Sequence, residues 1–291
     1  MKNFEIVKNK KIFFIISAVF IIAGIISMFV QGFNWDIDFK GGTEITYNIG
    51  EEATDEAARK IDESVRGAIG NKLNVVQASD NDEVILKSLE LSSEERDSVT
   101  EAIKSIYEKT EIVESNNVSA SVSADLRNSA IVSTTIAVVL MLLYITIRFQ
   151  FSSALASVVC LMQDIFIVIS AYSLLQIPVN SNVIAVILTI LGYSINATVI
   201  IFDRVRENVK SIKNATFEEK VNTSIMQTLG RSINTTVTTL LTIGLIYILG
   251  VASIKEFSLP LIVGIIAGLY SSVFLSGSLW TVFKKKNSRI K

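Results

Sequence analysis

The sequence predicts a polytopic α-helical membrane protein: six transmembrane helices, with one water-soluble α+β domain inserted after the first. Three observations carry this. Half of the 291 residues are apolar and the mean hydropathy is +0.48, yet the 27 Lys and Arg and the 28 Asp and Glu are crowded into a few stretches. Between those stretches lie uncharged runs of roughly the 20 residues a helix needs to cross a bilayer core about 30 Å thick. The one long charged stretch, residues 32–128, has a regular pattern of its own. The same composition excludes several function classes. There is no His, which rules out His-based acid–base triads and His metal sites. Cys160 stands alone, so neither a Cys cluster nor an intrachain disulfide can form. A net charge of −1 offers no footprint for nucleic acid.

Residues 1–11 read as a cytoplasmic N-terminus and 12–30 as the first span, preceded by Lys8, Lys10 and Lys11. That run is long for the apolar region of a signal peptide, and Gln31-Gly32-Phe33-Asn34-Trp35 offers no small-residue cleavage site, so it reads as an anchor. Residues 31–128 form the extracytoplasmic domain; within 32–128 there are 21 acids against 10 bases. Thr43–Ile49 alternates as a strand. Glu51–Ile69 places Ala57, Ala58, Ile61, Val65 and Ile69 on one helical face. Leu73–Ala78 and Glu83–Leu86 pair as a hairpin around Ser79-Asp80-Asn81-Asp82. Ser92–Lys109 is a helix capped by Ser92, with Glu95 three residues on, and Glu111–Val122 is the last strand. The order β-α-β-β-α-β is that of the ferredoxin-like split unit.

A five-helix bundle follows over 129–283, with spans at 129–147, 151–175, 183–202, 232–254 and 257–283. The turn Ile177-Pro178-Val179-Asn180-Ser181-Asn182 separates the third span from the fourth, and Lys255-Glu256 the fifth from the sixth. Residues 203–231 are a cytoplasmic segment and 284–291 a basic cytoplasmic tail. With both termini inside, sixteen of the 27 Lys and Arg fall on the inner side, and the short outer connections carry only Lys255, as the positive-inside rule requires.

Asp164 lies in the middle of the third span. A central Asp costs about 2.5–3.5 kcal/mol on insertion scales. A carboxyl that takes up and releases a proton there is a proton carrier; the alternative is an Asp that holds helices together by hydrogen bonds. The fourth span clusters Gly192, Ser194, Asn196 and Thr198, and Arg231 heads a hydrophilic stripe of Asn234, Thr235, Thr238 and Thr242 along the fifth. The stripe either lines a wet path or supplies interhelical hydrogen bonds. Gly264, Gly268 and Ser272 repeat the small-xxx-small pattern of close helix packing. No catalytic residue emerges: a lone intramembrane carboxylate does not make an aspartyl-protease dyad, and no phosphate-binding Gly-rich loop is present. No metal site or cofactor is expected beyond a coupling ion.

Three motifs converge on a family. Asp36-Ile37-Asp38-Phe39-Lys40-Gly41-Gly42-Thr43 follows the first span. Gly192-Tyr193-Ser194-Ile195-Asn196 leads into Phe202-Asp203-Arg204-Val205-Arg206-Glu207-Asn208. Gly264-Ile265-Ile266-Ala267-Gly268-Leu269-Tyr270-Ser271-Ser272 lies in the sixth span. Over nearly the whole chain this resembles the SecF members of the SecD/SecF family in the RND superfamily. The resemblance implies half of an RND-type transporter that works with SecD beside the SecYEG channel and the SecA-driven export machinery. Unfolded secretory proteins would be its substrates, the bacterial cytoplasmic membrane its location, and proton or sodium flow its drive. It also implies family roles for Asp38, Gly41, Gly42, Gly192, Tyr193, Asp203, Arg204 and Arg206, and ion coupling through Asp164, Ser194, Asn196, Arg231 and Thr235. Asp164 matches a family Asp, with Gln163 where many members have His, and Arg231 matches the usual base at the start of the fifth span. One departure stands out: the family commonly has Asp directly after the Asn of Gly-Tyr-Ser-x-Asn, where this chain has Ala197. Asp164 then takes over the coupling role, SecD supplies the carboxylate, or coupling is weak or absent. The alternatives are half of a lipid or small-molecule exporter, and a structural scaffold of the translocon without ion flux.

Overall fold

The computed structural model describes residues 5–79 and 82–288. Asp80 and Asn81 of the expected hairpin turn, Lys2 of the N-terminus, and Arg289 and Lys291 of the basic tail lie outside the described residues. The chain divides into two compact units.

One unit comprises residues 35–130 and 178–181. It opens with a single helical turn, α2 (Ile37–Lys40), after α1 (Lys10–Val30) of the other unit. Asp36 caps α2 by accepting the Ile37 N–H at 2.8 Å. Strands β1 (Gly42–Asn48), β2 (Leu73–Ala78), β3 (Glu83–Ser88) and β4 (Glu111–Val118) form one sheet in the order β2-β3-β1-β4, every neighbouring pair antiparallel. With α3 (Asp55–Ile69) after β1 and α4 (Ser93–Lys104) after β3, this is the ferredoxin-like split β-α-β unit. α3 buries the five residues its periodicity selects, and four of them, Ala57, Ile61, Val65 and Ile69, meet Ile45, Tyr47, Val84, Leu86, Val99 and Ile103 in one core. Each Ile, Val or Leu among them is worth about 1.5–3 kcal/mol of burial.

Local chemistry sets the boundaries. α3 starts at Asp55 rather than Glu51, because Gly50 turns with φ +69° and Thr54 Oγ accepts the Ala57 N–H at 3.2 Å. α4 carries the expected Ser92–Glu95 capping box but stops at Lys104, where hydrogen-bonded turns carry the chain to Thr110. β4 ends at Val118 rather than Val122, since Ser119 Oγ accepts the Val122 N–H and opens helix α5 (Ala120–Arg148), which starts well before the uncharged run at Ser129. Gly42 is required by geometry: its φ is +149°, and a Cβ there would lie 2.3 Å from the Ser88 carbonyl oxygen.

The second unit is helical and contains α1, the body of α5, α6 (Phe151–Leu174), α7 (Asn182–Ser211), α8 (Phe217–Leu249), α9 (Ala252–Tyr270), a π-helical stretch Ser271–Ser276 and α10 (Gly277–Ser288). Among the described residues six helices are long and apolar enough to cross a membrane, the last running through α9, the π stretch and α10 as Ile254–Lys284. α8 joins much of the expected cytoplasmic segment to the fifth span, opened by the Thr216–Glu219 capping box with no breaker after it. The following break falls at Gly250, in extended backbone, and leaves Lys255 and Glu256 inside α9. α6 is the most buried of the membrane helices that run as one uninterrupted α-helix, and α9 packs closely on α6 and α7 through its glycines. A Cβ at Gly264 would meet Ile190 at 2.1 Å and one at Gly268 would meet Ser194 at 3.2 Å, so small residues there allow the close approach.

Candidate ion-coupling site

The packed glycines bring three polar side chains to one point inside the helical unit. α6 contributes Asp164, α7 contributes Ser194, and the π stretch contributes Ser271; all three are fully buried. Ser194 Oγ donates to Asp164 Oδ2 at 2.5 Å, and Ser271 Oγ donates to the same oxygen at 2.8 Å. Around them, Thr198 and Ser272 hydroxyls pair at 2.9 Å, and Ser272 Oγ donates to the Ser194 carbonyl at 3.3 Å. Cys160, one turn before Asp164, directs its thiol at the Ser271 carbonyl. The π stretch lies where the cluster needs it: Ser271, Ser272 and Ser276 are all buried against α6 and α7. π insertions in helices occur often at functional sites.

The two carboxyl oxygens are unequal. Oδ2 accepts two hydroxyls, while Oδ1 is buried with no hydrogen-bond partner among the described residues, and neither has the adjacent Gln163 Nε2. No Lys or Arg pairs with Asp164 among the described residues. A bare carboxylate in such surroundings costs several kcal/mol. A proton on Oδ1, or a small cation shared between Oδ1 and nearby hydroxyls, removes that penalty.

The structure brings together Asp164 and Ser194 of the expected coupling residues and adds Ser271, whose signal was its place three residues after Gly268 on the packing face. It does not bring Asn196, Arg231 or Thr235 to them. All three are exposed on the outside of the bundle, and Thr235 Oγ1 donates to the Arg231 carbonyl at 2.9 Å. Thr238 and Thr242 of the same stripe are exposed too. Gly192 has open space around it, and Tyr193 donates its phenol to Thr236 Oγ1 at 2.8 Å. At the other end of α7, Asp203 lies 3.4 Å from the Arg148 guanidinium, Arg204 binds Gln227 and Glu207, and Arg206 is exposed.

The first motif folds within the other unit. Asp38 Oδ2 accepts the Ser181 N–H at 2.7 Å, Asp36 N–H donates to the Val179 carbonyl, and Trp35 bridges Val179. Asp36 also pairs with Lys87 at 2.8 Å, as does Glu44. Burial alone would lower the Lys87 pKa, but the two carboxylates outweigh it and hold the ammonium above its ordinary value. Gly41 closes α2 with φ +80°, its N–H bonded to the Ile37 carbonyl.

Known proteins resemble the chain in sequence and in fold. The family described as "Protein export membrane protein SecD/SecF, C-terminal" matches residues 98–286, and "SecD/SecF GG Motif" matches residues 26–49. The chain is 37% identical over 295 residues to the protein translocase subunit SecF of Acidaminococcus fermentans, covering 99% of this chain and 100% of that one. It is 32% identical to the protein translocase subunit SecDF of Bacillus subtilis, covering 97% of this chain but 38% of that one. A crystal structure of SecDF from Thermus thermophilus, described as a translocon-associated membrane protein, matches 97% of this chain and 39% of its own, with a TM-score of 0.85 at 30% identity.

Proposed function

This chain belongs to the SecF family of protein translocase subunits, and from that membership we propose that it forms, with SecD, a membrane complex that draws on the proton or sodium gradient to promote protein export. It is a multi-pass membrane protein with a role in protein translocation. In the SecDF relatives of Bacillus subtilis and Thermus thermophilus a segment like this one makes up 38% and 36% of a longer chain, which supports a separate SecD as its other half. The exposed polar stripe points the same way. Asn196, Arg231 and Thr235 facing hydrocarbon would each be unfavourable, and a partner's membrane helices would cover them. The distribution of Lys and Arg supports cytoplasmic termini and an extracytoplasmic ferredoxin-like unit.

The observation that carries the coupling role is Asp164 itself, with one oxygen held by α7 and the π stretch and the other bare. Gain and loss of a proton at Oδ1 changes the strength of two charge-assisted hydrogen bonds that join three helices. One elementary charge crossing the membrane yields about 2.3 kcal/mol per 100 mV, comparable to such a change. With Ala197 at the family's usual Asp position, Asp164 is the carboxyl this chain can offer. The competing reading, a brace without ion flux, draws on the same hydrogen bonds. Export of a secretory precursor into inverted vesicles separates the two. An Asp164→Asn complex should assemble with SecD normally and lose most of the stimulation that the proton gradient gives; full stimulation in that variant makes Asp164 structural.

A further inference from the structure

At the end of the helical unit where α5 stops and α6 begins, a cavity of about 330 Å³ opens among Arg148, Arg206, Lys210 and Lys284. Four cations around so small a space repel one another unless an anion sits between them. Among the described residues, Asp203, 3.4 Å from Arg148, is the one carboxylate in ion-pair range of any of the four, and the exposed Arg206 and Lys210 have none. The wall is aromatic. Lys284 Nζ lies 3.6 Å over the Phe217 ring, the Arg148 guanidinium lies 5.6 Å over Phe149, and Trp280 is packed edge-on against Phe217 at 5.4 Å. Such contacts hold two of the cations in place before any ligand arrives.

We infer that this cavity binds the phosphate of an anionic phospholipid headgroup. The depth fits, because Arg148 and Phe151 stand at the ends of two membrane-spanning helices, the level at which headgroups lie. The flanks fit as well. Ile147 is 85% exposed and Phe151 62% exposed, so an apolar surface adjoins the charged one, as acyl chains attached to the phosphate require. A soluble phosphate compound would use the cations but has nothing to lay against those side chains. The inference rests on the membrane helices and not on the coupling role of Asp164.

Trp280 in the cavity wall is a built-in reporter, since Trp35→Phe leaves it the sole tryptophan. The full chain with that change is placed in phosphatidylcholine vesicles containing either brominated phosphatidylglycerol or brominated phosphatidylcholine. Phosphatidylglycerol should quench Trp280 at a several-fold lower mole fraction. Each cation beside an anionic headgroup is worth up to roughly fivefold in affinity, so Arg206→Gln with Lys210→Gln should remove most of that several-fold preference. Lys11→Gln with Lys213→Gln, an equal charge change outside the cavity, should leave it intact. Equal quenching by the two lipids, or equal loss in both double variants, overturns the inference. Millimolar inorganic phosphate should not alter the preference; if it abolishes it, a soluble phosphate is the ligand and the lipid assignment fails.

Discussion

One buried carboxyl group, Asp164, has two differently treated oxygens. Asp164 Oδ2 is satisfied by Ser194 and Ser271 and Oδ1 by nothing among the described residues, so removing one donor should matter more than its size suggests. Ser271→Ala should weaken gradient-stimulated export, while Ser271→Thr, which keeps the hydroxyl, should largely restore it; export assays on the two variants check this. In the other unit, Gly42→Ala forces a Cβ onto the Ser88 carbonyl and should destabilise the sheet by about 1–3 kcal/mol, read as an earlier thermal transition. Lys87 sets a pH dependence of known sign. Its folded pKa is raised above 10.5, so its contribution is complete below that pH and is lost as pH climbs through the raised value. Thermal melts followed by Trp35 fluorescence in a Trp280→Phe background should show that alkaline loss in the parent and not in Lys87→Gln. The difference between the two curves also isolates Lys87 from Tyr47, whose phenol burial likewise pushes up.

At the scale of elements, caps and glycines decide where helices begin and how closely they pack. Ser92→Ala removes the hydroxyl that accepts the Glu95 N–H in the capping box and should lower the stability of the ferredoxin-like unit by about 1 kcal/mol in the same melts. The strand order was legible because α3 and β1 obey their periods cleanly, and the uncharged runs marked the spans because hydrocarbon tolerates little else. Boundaries were less legible where the pattern continues past the structural event. Nothing in the composition of residues 119–128 signals that α5 already runs there, and Lys255-Glu256 looks like a loop although Gly250 makes the break. The site was legible in part. Asp164 and Ser194 stand out as polar groups in apolar runs, but Arg231 and Thr235 share that signal and are exposed on the surface of the bundle. Polarity in a span says that a residue needs a partner, and only packing says whether the partner is in the same chain. The π stretch has no sequence mark at all beyond its serines.

For the molecule as a whole, the exposed polar stripe on α8 bears on the proposed SecD partner, since a second membrane subunit would cover it. Cysteines placed at Asn196 or Thr235 in a Cys160→Ala background should form crosslinks with SecD, whereas one at the buried Thr198 should not; lipid exposure of Asn196 and Thr235 in the complex would contradict the partner face. A change of Asp164 protonation as the gradient is used can be read by infrared difference spectroscopy of the carboxyl stretch in reconstituted SecD–SecF vesicles. A protonated-carboxyl band should rise and fall when the proton gradient is imposed and reversed, and should vanish in Asp164→Asn. A band assigned to Asp164 that stays constant under both gradients rules out a proton carried by this residue.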